Sequence, residues 1–181
     1  VLFEGYMDVI SAYQAGVKNA VATLGTSLTE TQARLLRRYV DTVIICYDAD
    51  EAGTEAAYKA ALLLQKAGCH VKIANLRDNM DPDDFITEYG AEAFHNQVIK
   101  SSMTFTSFYM RYLKKDYNLS LEGDRIQYIE KLLQYLARIE SSVEREYYLK
   151  EVSDSYNVSM DSLLQEIQAN REKMGLVKDK I

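Results

Sequence analysis

The sequence predicts an α/β domain with a mostly parallel sheet flanked by helices, followed by a small all-α helical bundle. Three observations predict it. Short β-branched runs alternate with helical patterns over the first part of the chain, as in strands joined by crossover helices. Strand signals stop near residue 100. Beyond that point apolar residues recur at helical spacing, as in a bundle. The expected division is 1–97 for the sheet domain, 98–170 for the helical part and 171–181 for a tail or linker.

Val1–Phe3, Val21–Thr23, Val43–Tyr47 and Val71–Asn75 read as strands, with helices near Tyr6–Ala15, Thr29–Tyr39 and Gly53–Ala67 between them. Gly16 and Gly68 follow helical runs at positions suited to a left-handed C′ residue. Thr29 and Gln32 have capping-box spacing. Asp81-Pro82 places proline at a first helical position behind an acidic cap. In the second half, Ile126, Ile129, Leu132, Leu133, Leu136 and Ile139 form one stripe. Val143 and Tyr147, with Val152 and Tyr156, suggest another helix, and Val158, Ser159 and Leu163 have the spacing of a hydrophobic staple around an N-cap.

The 181 residues carry a net charge of -6, which argues against coating nucleic acid by electrostatics alone. No apolar run approaches the ~20 residues of a membrane span. Two cysteines, Cys46 and Cys69, without CxxC spacing, and two histidines argue against a disulfide framework and against zinc, so a reducing cytoplasm is expected. Any metal here must be held by oxygen. Val-Leu-Phe-Glu opens within an apparent strand, so the chain is expected to be a piece of a longer one.

The acids carry the chemistry. Glu4-Gly5 ends the first strand, with Asp8 one turn later; Tyr47-Asp48-Ala49-Asp50 ends the third; Asp81-Pro82-Asp83 follows the fourth. Groups just past the carboxyl ends of parallel strands converge on one crevice. Carboxylates gathered there repel, and a divalent cation relieves the repulsion. Magnesium suits oxygen ligands and leaves room for substrate phosphates, and two metals about 3.5–4 Å apart serve phosphoryl displacement. Gly5 and Gly53 are candidate nucleotide or phosphate contacts, through close backbone approach and a helix N-terminus near Ala52.

Each feature also has a plain structural reading. Asp81 and Asp84 serve equally as helix caps, and Glu4 with Asp8 as a solvated helix start. Thr26 and Ser27 fit the opening of a helix better than catalysis. Arg34, Arg37 and Arg38 read as a solvated face, and Tyr109, Tyr112, Tyr128, Tyr135 and Tyr147 as core and rim residues.

Taken in order, Glu4-Gly5-Tyr6-Met7-Asp8-Val9, Ala22-Thr23-Leu24-Gly25-Thr26-Ser27, Cys46-Tyr47-Asp48-Ala49-Asp50-Glu51-Ala52-Gly53 and Asp81-Pro82-Asp83 resemble the TOPRIM signature as it occurs in bacterial-type DNA primases (DnaG). The resemblance covers roughly residues 1–95. The helical remainder is similar to the C-terminal subdomain of the primase RNA-polymerase core. The resemblance implies synthesis of short RNA primers from ribonucleoside triphosphates on a single-stranded DNA template. It implies Mg²⁺ or Mn²⁺ held centrally by the catalytic acids Glu4, Asp48 and Asp50, with Asp8, Asp81 and Asp83 completing or supporting the site. The zinc-binding module, the basic subdomain and the helicase-interacting domain of such primases are expected outside this chain. The alternatives are another TOPRIM enzyme, nuclease or topoisomerase, or a non-catalytic TOPRIM module that binds nucleic acid.

Overall fold

The computed structural model describes residues 1–77 and 79–176. The chain forms two compact units, Val1–Tyr112 and Leu113 onward.

The first unit is built on a five-stranded sheet in the order β2-β1-β3-β4-β5. The strands are β1 (Leu2–Phe3), β2 (Val21–Ala22), β3 (Thr42–Ile45), β4 (His70–Ile73) and β5 (Met103–Thr104). β1 pairs in parallel with β2 and β3, and β3 with β4; β5 is antiparallel to β4, with Ile73 opposite Met103. The helices are α1 (Tyr6–Gln14), α2 (Glu30–Tyr39), α3 (Glu51–Lys66), α4 (Pro82–Ala93) and α5 (Phe105–Leu113), with a π-helical turn at Phe94–Ile99 after α4.

Alternation along the strands decides what each face buries. Phe3 and Cys46 pack with Ala12 of α1, Phe85 of α4, and Phe94 and Val98 of the π turn. α3 lies against β3 and β4 through small residues, Ala57, Ala60 and Ala61, beside Leu64, all buried. α2 packs on α3, joined by the Lys66–Glu30 ion pair at 2.8 Å. The expected punctuation is present. Gly16 and Gly68 have φ of 98° and 91°, Thr29 and Gln32 form a reciprocal capping box, and Asp81 caps α4 with Pro82 at its start.

β5 is the strand that the sequence reading did not anticipate. Two residues are too few to show alternation, yet their pairing with β4 keeps residues 103–112 in the sheet unit. The compact unit therefore ends at Tyr112, later than the expected boundary at 97.

The second unit packs α6 (Glu122–Leu136), α7 (Ser142–Tyr156) and α8 (Met160–Lys173) together. Leu132, Leu133 and Leu136 of the expected stripe are buried with Tyr128, whereas Ile126 is exposed. On α7 the buried face is Tyr148, Leu149 and Val152; Val143 and Tyr147 of the expected set face solvent at 78% and 69% exposure. The helix forms as expected, and Val152 is the member of the expected set that is fully buried in the core. Ser159 caps α8, and Leu163 is buried one turn on. Arg171 Nη1 donates to the Ala137 and Ile139 carbonyls at 2.7 and 3.3 Å, and Arg145 donates to the Ile139 and Glu140 carbonyls. The carbonyl of Ala137, the C-cap of α6, and those of Ile139 and Glu140 in the loop after it are thus satisfied by guanidinium groups. Of the expected 171–181 tail, residues 171–173 complete α8, and 177–181 lie outside the described residues.

Candidate active site

Three chain segments meet beyond the carboxyl ends of β1, β3 and β4. The first is Glu4 to Asp8. Glu4 follows β1, and its Oε1 accepts a hydrogen bond from the Asp48 backbone N–H at 3.2 Å, although 44 residues separate them. Asp8 is buried at 9% exposure, and its Oδ2 accepts from the Gly5 N–H at 3.0 Å, closing the first turn of α1.

The second segment is Asp48 to Gly53. Asp50 is the N-cap of α3, its Oδ1 accepting from the Gly53 N–H at 2.6 Å. A Cβ built on Gly53 would lie 2.2 Å from the Asp48 carbonyl oxygen, so no larger residue fits there. The close approach expected of Gly53 is therefore made to the chain's own backbone. Gly5 likewise faces Asp8, whose Oδ2 would lie 3.1 Å from an added Cβ.

The third segment is Asn79 to Asp84. Asp81 caps α4, accepting from the Asp84 N–H at 2.7 Å. Asp83 accepts a hydrogen bond from the Ser11 hydroxyl of α1. Two backbone bonds splice this loop to the previous one: Ala49 N–H donates to the Met80 carbonyl and Asn79 N–H to the Ala49 carbonyl, both at 2.9 Å. They bring the Asp48-Ala49-Asp50 and Asp81-Pro82-Asp83 runs side by side.

The electrostatics follow from this gathering. Asp48 is pushed up from 3.8 to about 6, first by burial and then by the charges of Glu4, Asp8, Asp81 and Asp50. Glu4 is raised by burial and by Asp50 and Asp8, against the lowering effect of the Asp48 N–H. Asp8 is raised by burial and by Asp81 and Asp83, and is eased by N–H groups of Gly5 and Asp83. Acids from distant stretches thus feel one another's charge.

The donor chemistry fits a hard divalent cation, which takes one or two carboxylates and completes its shell with water and phosphate oxygens. Among the described residues, no three His, Cys, Asp or Glu side chains close into a cage around one point. Asp50, Asp81 and Asp83 each have one oxygen engaged as an acceptor within the fold. Ser11, which sequence reasoning missed, meets Asp83 across 72 residues, and no local spacing signals that contact. Of the other sequence features, Arg34 pairs with Glu30 and Arg37 with Asp41 on exposed α2 surface, while Cys46 and Cys69 are buried free thiols.

Two family models match the chain: one described as Toprim-like over residues 1–86, and one described as the DnaB-helicase binding domain of primase over residues 106–161. Fold and acid arrangement together define a Toprim-like α/β domain followed by a helical part. Over 166 residues the chain is 53% identical to the DNA primase of Halalkalibacterium halodurans, covering 92% of this chain and 28% of that protein. It belongs to the bacterial DnaG-type DNA primase family.

Against the DNA primase of Geobacillus stearothermophilus the identity is 43% over 173 residues, 96% of this chain and 29% of that one. Among solved structures, the Aquifex aeolicus primase with its zinc-binding and RNA polymerase domains superposes at a TM-score of 0.63 with 34% identity, over 91% of this chain and 38% of that chain. A DnaG primase catalytic domain bound to ssDNA gives a TM-score of 0.67 at 32% identity, over 90% and 52%. The chain thus spans less than a third of the length of the curated relatives named here. The helicase-binding match falls on residues inside this chain, whereas the sequence reading had placed helicase contact in a domain outside it.

Proposed function

We propose that this chain supplies the acid-bearing part of a DNA primase that makes short RNA primers by metal-dependent nucleotidyl transfer. The observation that carries the reading is the meeting of Glu4 and Asp48 across 44 residues, in a setting that pushes Asp48 up to about 6. Such repulsion is tolerated where a cation is to be received.

Glu4, Asp48 and Asp50 are the central metal-binding acids in this reading, with Asp8, Asp81 and Asp83 in support. A divalent cation, Mg²⁺ or Mn²⁺, supplies charge neutralisation between the phosphate oxygens and the carboxylates when bound. The chain's own residues do the positioning. The Asp48 N–H holds one Glu4 oxygen and so orients the other. Asp50 and Asp81 are each anchored by a helix-terminal N–H, which fixes their direction on rigid elements. Asp8 closes the first turn of α1 through the Gly5 N–H it accepts, and feels Asp81 and Asp83 at the start of α4.

The substrates in this reading are ribonucleoside triphosphates and a single-stranded DNA template, in the bacterial cytoplasm; no described helix is long and apolar enough to cross a membrane. Residues 106–161 are proposed to contribute to helicase contact, on the strength of the family model that matches them.

The test is primer synthesis and Mn²⁺ binding by the full-length protein with Asp48→Asn. Synthesis is expected to fall by at least about 100-fold, with Mn²⁺ affinity reduced in calorimetry and helical content unchanged in circular dichroism. Unchanged Mn²⁺ affinity would remove the metal assignment, and DNA cleavage without primer synthesis would favour a Toprim nuclease.

A further inference from the structure

Tyr47 ends the apolar run of β3 immediately before Asp48, and only 8% of its surface is exposed. Its hydroxyl makes no hydrogen bond among the described residues. Buried hydroxyls are nearly always paired, and one left open in a native fold calls for an explanation. A phenylalanine would fill the same space without that cost, so packing alone gives no reason for the oxygen.

The neighbours narrow the explanation. Thr23, itself buried, lies alongside the phenol without a well-formed bond, and ionisation of the ring is disfavoured first by burial and then by the nearby Glu4 charge. Glu4 already accepts the N–H of Asp48, the very next residue after Tyr47. A carboxylate with one oxygen held by a backbone donor has further lone pairs available, and the nearby open donor is the Tyr47 hydroxyl.

We propose that Tyr47 is a positioning residue for Glu4: its hydroxyl and the Asp48 N–H are the two donors that hold the Glu4 carboxylate as it turns onto a divalent cation. Hydrogen bonds to a ligating carboxylate fix its orientation, and loss of such a partner typically weakens metal binding about 10–100-fold. The inference rests on the reading of Glu4 as a metal-binding acid.

Four forms of the full-length protein test it: the parent, Glu4→Gln, Tyr47→Phe and the double variant. Each is titrated with Mn²⁺ and followed by the electron paramagnetic resonance signal of the free ion. Each is also melted without metal. Tyr47→Phe is expected to weaken Mn²⁺ binding about 10-fold, to melt at the parent temperature or slightly above, and to add nothing once Glu4 is Gln. Unchanged Mn²⁺ binding in Tyr47→Phe, with Glu4→Gln weakened, overturns the role of Tyr47 alone. An equal loss in the Glu4→Gln background, or melting several degrees lower, assigns Tyr47 to the scaffold and overturns it too. Unchanged binding in Glu4→Gln removes the acid-site reading together with this inference.

Discussion

The two units begin their helices differently. In the sheet unit, the helices that start at the acid loops do so on charge: α3 and α4 on Asp50 and Asp81, with Asp8 turning back to cap the first turn of α1. Helix α2, which follows none of those loops, starts on the hydroxyl of Thr29. In the helical unit, α7 and α8 start on Ser141 and Ser159, whose hydroxyls accept from Glu144 and Ser162 N–H groups. Serine and aspartate are comparable caps, so hydrogen bonding gives no reason to place charge at one set of helix starts and neutral hydroxyls at the other. The helix dipole favours an anion by about 0.3–1 kcal/mol, but that holds in both units. Only in the sheet unit do the caps stand close enough together to raise one another's neighbours. The excess of charge there is what capping leaves unexplained, and the proposed cation is what explains it.

Core truncation gives the largest separation between the units. Leu132→Ala is expected to destabilise the helical unit by about 2–5 kcal/mol, read from denaturant unfolding, while Mn²⁺ binding by the sheet unit is retained. Loss of ion binding in that variant would erase the division of labour. A smaller effect separates capping from charge. Asp50→Ala is expected to cost about 1 kcal/mol, whereas Asp50→Ser restores most of that stability; both are expected to weaken Mn²⁺ binding. Ser159→Ala is expected to cost a similar amount of stability with ion binding intact. If Asp50→Ser binds Mn²⁺ as the parent does, Asp50 is a cap like Ser159 and no more.

The smallest effect is a pH slope. The folded protein holds the Asp48 proton more tightly than the unfolded chain does, with the pKa raised from 3.8 to about 6. The folded state therefore binds more protons between those values, and stability falls as pH rises through them. Glu4 and Asp8 shift in the same direction. Metal-free protein is expected to melt a few degrees lower at about pH 7 than at about pH 5 on account of these groups, and Asp48→Asn is expected to flatten the difference. Added Mg²⁺ is expected to stabilise more at the higher pH, because it competes with protons for the same oxygens. A melting temperature that rises over that interval, with no change in Asp48→Asn, would mean that the acids do not repel one another.

Much of the fold was legible because local physics was strong. Thr29 with Gln32, Asp81 with Pro82, and Gly16 and Gly68 each punctuate a helix by short-range bonding or backbone conformation, and each appears where expected. β5 was not legible, because Met103–Thr104 carries no periodicity and exists by virtue of its pairing with β4. The helix of α7 was legible but its buried face was not, because Val143 and Tyr147 are as apolar as Tyr148, Leu149 and Val152, and only tertiary packing selects among them. At the candidate site, the acids were legible as residues ending apolar runs. Their partners were not: Ser11 on Asp83 and the Asp48 N–H on Glu4 span 72 and 44 residues.

The splice between the two acid loops is made by Ala49 with Asn79 and Met80, through main-chain atoms alone. Exchanging any carboxylate leaves those bonds in place, so a series of single variants can be read against a fixed frame. Ala49→Pro removes one of the two bonds, the N–H that donates to Met80, and leaves the bond that Asn79 N–H donates to the carbonyl of residue 49. Such a variant would halve the splice while keeping every acid, and so would measure what the tightness of that junction is worth.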